Sequence, residues 1–129
     1  MAHPNEELIR KGYEAFSSGN LQALDDLFAE DILWHVGGRS SLAGDYKGRQ
    51  EVYGFFGKLA EGSGGSFRLE LHDILANDHH GVGLVHTTGQ REGRTLDDNT
   101  VHVFELEDGK VKEFWGYPDD QYAADEFWA

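Results

Sequence analysis

Residues 99–118 read NTVHVFELEDGKVKEFWGYP. Asp108-Gly109 lies between two β-rich runs, and this dipeptide tolerates the positive φ angles that tight hairpins need. In the first run Val101, Val103 and Glu105 alternate with His102, Phe104 and Leu106. A period of two sends the two sets to opposite faces of a sheet. His102 is therefore an ionisable group in a row of apolar ones and reads as the floor of a pocket. Two registers are open. A two-residue turn at Asp108-Gly109 sets His102 opposite Trp115 and Glu105 opposite Lys112. A three-residue turn with Gly109 as a bulge shifts the pairing by one, so that His102 meets Phe114 and shares its face with Gly116.

Upstream of the hairpin the same alternation recurs. Phe67, Leu69 and Leu71 alternate with Arg68, Glu70 and His72, and the pattern slips at Asp73-Ile74, where a bulge fits. Asn77 to His80 reads as a turn, Val82–Gln90 as a strand, and Gly93 as a second turn. The polar segment Leu96-Asp97-Asp98-Asn99 leads into the hairpin. The short run ILWHV, residues 32–36, is a strand with Ile32, Trp34 and Val36 on one face and Leu33 and His35 on the other.

The remaining periodicity is helical. Residues 4–17 carry the stripe Leu8, Ile9, Gly12, Tyr13 and Phe16, with Pro4, Asn5, Glu6 and Glu7 suited to a helix start. Gly19 stops that helix, and Asn20 caps a second one through Phe28. Val52, Phe55, Phe56 and Leu59 follow i, i+3, i+4, i+7 in a third helix from about Arg49 to Glu61. Residues 37–47 are rich in Gly, Ser and Asp and read as a loop, a candidate flap near the pocket. After Pro118, Asp119 caps a short last helix carrying Tyr122, Ala123, Phe127 and Trp128. Three amphipathic helices followed by about four long antiparallel strands define an α+β domain spanning residues 1–129, with the helices gathered on one face of a bent sheet. A cavity is expected between them. The outer face keeps Val101, Val103 or Trp115, so a homodimer through that face is expected to cover it.

Composition narrows the function classes. Eleven basic against 24 acidic side chains give a formal charge of −13, a surface that repels phosphate backbones and anionic lipid. Neither nucleic acid nor membrane is expected as a partner. No apolar run approaches the roughly 20 residues of a bilayer span, and the polar start MAHPNEELIRKG has no secretory character. The absence of cysteine excludes disulfides and thiol catalysis and makes the cytoplasm the expected location.

Three segments, GNLQALDDLFAEDILWHV (19–36), YKGRQEVYGFF (46–56) and VHVFELEDGKVKEFWGYPDD (101–120), carry a resemblance to a known superfamily. The chain resembles the ketosteroid-isomerase-like, or nuclear transport factor 2-like, cone fold in its SnoaL-like polyketide-cyclase branch. The resemblance implies a cone-shaped roll of three N-terminal helices on a strongly bent, mainly antiparallel sheet with a short C-terminal helix. It implies nothing so specific about chemistry, because this fold hosts isomerases, cyclases, hydrolases and non-catalytic binders. The base of the isomerases falls on Val36, or on His35 if the first strand is bulged. Their oxyanion-hole tyrosine falls on Gly12, one step from Tyr13, and their second acid on His102. The acid that related cyclases and epoxide hydrolases carry near the end of the last strand falls on Gly116.

The candidate catalytic residues are thus His102 and His35, since a histidine in an apolar pocket is neutral near pH 7 and exchanges a proton with a substrate carbon or oxygen. Trp34, Tyr13, Phe55, Phe104, Phe114 and Trp115 are the candidate walls for an apolar ligand. His35, His86 and His102 lie on three strands but match no local metal motif, and no phosphate loop, catalytic serine triad or dinucleotide fingerprint is present. The expectation is a cofactor-free, metal-free isomerase, cyclase or lyase acting on an enolisable, hydrophobic small molecule. The alternative is a non-catalytic binder of such a molecule.

Overall fold

The computed structural model describes residues 3–129. The elements run α1 (Pro4–Ser18), α2 (Leu21–Leu27), β1 (Phe28–Val36), β2 (Gly44–Lys47), α3 (Gly48–Gly62), β3 (Arg68–Ala76), β4 (His80–Arg91), β5 (Arg94–Glu107), β6 (Lys110–Pro118) and α4 (Gln121–Trp128). Local chemistry explains the helix ends. The His3 imidazole accepts the Asn5 N–H at the start of α1, Gly19 closes it at φ 72°, and the Asn20 side chain accepts the Ala23 N–H to open α2. The strands form one open sheet in the order β2-β1-β6-β5-β4-β3. Every pair is antiparallel except β1 with β6. This is the α+β cone architecture, helices on the concave side of a bent sheet.

The hairpin register is neither of the two the sequence left open. Asp108 (φ 52°) and Gly109 (φ 74°) form a two-residue turn, and Glu107 pairs with Lys110. One residue later the ladder slips. Leu106 faces Val111 but Glu105 faces Glu113, so Lys112 is the extra residue of a bulge. Beyond it His102 lies directly opposite Gly116. The bulge keeps Val111 and Phe114 both buried, which strict alternation forbids for residues three apart.

Other boundaries differ from expectation. The sheet has six strands, because Gly44–Lys47, inside the expected loop, pairs with Leu33–Val36. Strand β1 begins at Phe28 and crosses an irregularity between Phe28 and Leu33. The slip in β3 falls between Leu71 and Asp73, β5 begins at Arg94, and Asp120 rather than Asp119 caps α4, accepting the Ala123 N–H. Tyr122 is 89 % exposed.

The core lies between the inner sheet face and the helices. Ile32, Trp34, Phe104, Leu106, Val111 and Phe114 from the strands meet Ile9, Leu24, Val52, Phe55 and Leu59 from the helices. Burial of these side chains, each contributing on the order of 1.5–3 kcal/mol, holds the helices down and fixes the walls of the space described next.

Candidate functional site

His102 sits mid-strand on the inner face with a glycine on each side in the cross-strand row, Gly83 on β4 and Gly116 on β6. The two glycines leave the imidazole without side-chain neighbours along the sheet. Gly83 has a second consequence. A Cβ built there collides with the Tyr13 hydroxyl, so only glycine lets Tyr13 descend from α1 onto the sheet. The hydroxyl meets His102 Nδ1 at 2.6 Å, and the two rings lie parallel within 4°. His102 Nε2 has no protein partner among the described residues.

The electrostatics follow from position. His102 is half-buried, and it lines the cavity. Burial with no charged partner pushes its pKa down to about 4, so the ring is neutral at pH 7. Burial likewise holds the Tyr13 hydroxyl above its usual range and keeps it protonated. A neutral hydroxyl both donates and accepts, so it accommodates either imidazole tautomer.

The cavity above His102 has a volume of about 180 Å³. For scale, a dry apolar cavity of about 150 Å³ accepts benzene. Trp34 and Phe114 stack at 3.6 Å between ring centroids and form one wall. Phe114 presents its edge to His102 at 4.8 Å, and Phe104 crosses Phe114 at 5.4 Å. Phe55, Leu24 and Leu59 close the helical side. Trp34 Nε1 is buried with no hydrogen-bond partner, an unusual state for a donor.

The polar groups of this wall include one that the sequence reading passed over. Asp98, two positions along the inner face beyond Thr100, lines the same cavity and is 7 % exposed. Its Oδ1 accepts the Asp119 N–H at 3.1 Å. Burial, reinforced by the neighbouring Asp119 carboxyl, pushes its pKa up to about 7, while the hydrogen bond from Asp98 holds Asp119 below the usual carboxylate range. Thr87 and Thr100 pair their hydroxyls at 3.1 Å beside it. The signal was available: Asp98, Thr100, His102 and Phe104 share the even parity of the strand.

Of the residues expected at the site, His102, Tyr13, Trp34, Phe55, Phe104 and Phe114 come together around the cavity. His35 and Trp115 do not join them. His35 borders the mouth, but its ring lies on the outer sheet face, stacked on Trp115 at 5.3 Å. It is held by Asp45 at Nδ1 (2.7 Å) and Glu113 at Nε2 (2.6 Å). Asp45 foremost, with Glu113, raises its pKa. With both nitrogens engaged on the far side of the strand, His35 cannot reach a ligand beside His102. Strand parity, which separates 35 from 34 and 115 from 114, is the physical reason. Among the described residues no cluster of His, Asp or Glu is arranged to hold a metal, and no helix is long and apolar enough to cross a membrane.

The glycine row makes a test. Gly83→Ala is expected to cost about 1–3 kcal/mol by overpacking against Tyr13, read by urea unfolding. Gly116→Ala, whose Cβ meets Phe114 at 3.4 Å and His102 at 3.7 Å, stays within about 1 kcal/mol of the parent. Equal costs at both positions would contradict the close approach of Tyr13.

The SnoaL-like domain family matches residues 9–114, and the chain belongs to that family. Bal32a, from a soil-derived mobile gene cassette, superposes with a TM-score of 0.94 at 39% identity, covering 98% of this chain and 97% of that one. An uncharacterized protein of Mycobacterium tuberculosis is 28% identical over 124 residues, 95% of each chain. At 21% identity TerC, co-crystallized with polyporic acid, shares the fold with a TM-score of 0.85 over 97% of this chain and 98% of its own.

Proposed function

We propose that this protein is a cytoplasmic, cofactor-free enzyme of the isomerase, cyclase or lyase type. It would act by proton transfer at His102 on an enolisable, largely apolar small molecule. The observation that carries this reading is the pairing of His102 Nδ1 with the Tyr13 hydroxyl at 2.6 Å beneath an aromatic cavity. Membership of the SnoaL-like family supports it, and so does the co-crystallisation of TerC, which has the same fold, with a small molecule.

The proposed chemistry runs through the tautomer protonated at Nδ1. When Nδ1–H donates to the Tyr13 oxygen, the Nε2 lone pair takes a proton from the carbon next to a carbonyl. The C–H electron pair then moves into the enol system, leaving an imidazolium and an enolate. The imidazolium returns its proton from Nε2 to another carbon or to the oxygen, and the cycle closes. A base of pKa about 4 is weak, so the carbonyl oxygen needs a donor as its charge grows. With its oxygen accepting from Nδ1–H, the Tyr13 hydroxyl keeps its own proton to donate to the carbonyl oxygen. The test is hydrogen–deuterium exchange at the α-carbons of 2-tetralone in D₂O, followed by NMR. Acceleration by the protein supports proton transfer. Saturable binding without acceleration supports the second reading, a non-catalytic binder, which the almost wholly apolar wall favours.

The proposal includes a homodimer. Val101 and Tyr117 are 37 % and 54 % exposed on the outer sheet face, flanked by Val103 and Trp115, an apolar strip that a second copy covers. Light scattering after size-exclusion is expected to give twice the chain mass at micromolar concentration, and Tyr117→Lys is expected to return it to one. A monodisperse monomer would count against the assembly.

A further inference from the structure

The inner face of β5 carries two polar stations separated by Thr100. One is His102 with Tyr13; the other is Asp98. Four residues of extended strand separate their Cα atoms by roughly 13 Å, and less separates the side-chain tips on the concave face of a bent sheet. The cavity runs past both. A carboxyl group in an otherwise apolar wall is costly unless its oxygens are satisfied. The Asp119 N–H satisfies Oδ1, and the Asp119 carboxyl and the Thr100 hydroxyl also hydrogen-bond this carboxyl. A carboxyl offers about four acceptor positions, and the hydroxyl pair of Thr87 and Thr100 brings further donors and acceptors to the same spot.

We propose that Asp98 is a second binding residue of the cavity, taking a hydroxyl group at the end of the ligand remote from His102, with Thr100 completing the hydrogen bonds. This deepens the reading given above and rests on it: the substrate is then a compact, one- or two-ring carbonyl compound with a hydroxyl at its far end. A ligand hydroxyl suits the station because it donates to the carboxyl and accepts from a threonine, whichever protons the Asp98–Asp119 pair holds. The contact from Oδ1 to the Asp119 N–H has a separate, structural use, since it pins the segment leading from β6 into α4. A purely structural Asp98 would leave ligand choice unaffected.

The test compares 2-tetralone with 6-hydroxy-2-tetralone by NMR or calorimetric titration and reads the ratio of their dissociation constants within each variant, so that general losses of packing cancel. In the unaltered protein the hydroxyl compound is expected to bind about tenfold tighter. The ratio falls to about one in Asp98→Leu and drops several-fold in Thr100→Val. Asp98→Asn, which keeps a donor and an acceptor in place, restores most of it. A ratio of one in the unaltered protein overturns the inference, as does a ratio that survives Asp98→Leu. Should Asp98→Leu fail to fold, an unchanged ratio in Thr100→Val together with an unchanged ratio in Asp98→Gly overturns it equally. Failure of 2-tetralone itself to bind removes the cavity reading beneath it, an outcome distinct from a bound ketone whose hydroxyl adds nothing.

Discussion

Replacing His102 by alanine is expected to slow protein-catalysed α-exchange of 2-tetralone by about 10²–10⁴-fold, the range that a positioned acid/base group supplies. The size of the effect follows from the site. Among the described side chains that line the cavity, only His102 presents an unpartnered nitrogen that is already in its basic form at neutral pH. Tyr13 is held protonated and so offers no base. In the parent protein the exchange rate is expected to rise through about pH 4 and then level off, because the base form is populated above the folded pKa. His102→Ala loses that inflection. Tyr13→Phe keeps it, with a smaller loss of rate, because Nε2 remains while the hydroxyl paired with Nδ1 is gone. Exchange at the parental rate in His102→Ala would remove the imidazole from the mechanism.

The same depressed pKa has a stability signature that needs no substrate. The folded protein keeps His102 neutral down to about pH 4, whereas the ordinary value is 6.5. Between those values the unfolded chain binds a proton that the folded one refuses. Stability from this group therefore falls as the pH drops from 6.5 towards 4, and rises in the opposite direction. Thermal unfolding of His102→Ala across that window lacks this component, so the two proteins differ in slope as well as in midpoint.

Much of this arrangement was legible in the residues. Period-two alternation separates His102 and Phe104 from Val101 and Val103, and the helical stripe of α1 brings Tyr13 to its buried side. The contact between Tyr13 and His102, 89 positions apart, was not legible, because it depends on Gly83 in a third element. The register of the hairpin was not legible either. Turn chemistry correctly points to a short loop at Asp108-Gly109, but the bulge at Lys112 answers a tertiary demand to bury both Val111 and Phe114. Strand β2 escaped notice because Gly44-Asp45-Tyr46-Lys47 has the composition of a loop and becomes an edge strand only through backbone pairing with β1. Asp98 is a different case. In the polar lead-in it resembles its solvent-facing neighbour Asp97, and only carrying the even parity of Phe104 and His102 back through Thr100 separates the two.

Phe114→Ala is expected to lose about 3–5 kcal/mol of stability, read by urea unfolding. Phe114 is 4 % exposed. It stacks on Trp34 at 3.6 Å, meets His102 edge-on at 4.8 Å and crosses Phe104 at 5.4 Å. Truncation removes the transfer free energy of the ring and leaves a void whose remaining walls belong to a sheet and helices that cannot collapse onto it. Phe114→Leu refills much of the space and is expected to recover more than half of the loss. The void would join a cavity that is already about 180 Å³, so it also enlarges what the protein can hold. Benzene should then raise the unfolding temperature of Phe114→Ala more than that of the parent, because binding to the folded state alone stabilises it by mass action. A cost below about 1 kcal/mol, with no differential response to benzene, would mean that the wall behind His102 is not packed as described. His102 would then lack the rigid aromatic backing on which both its neutrality and its aim depend.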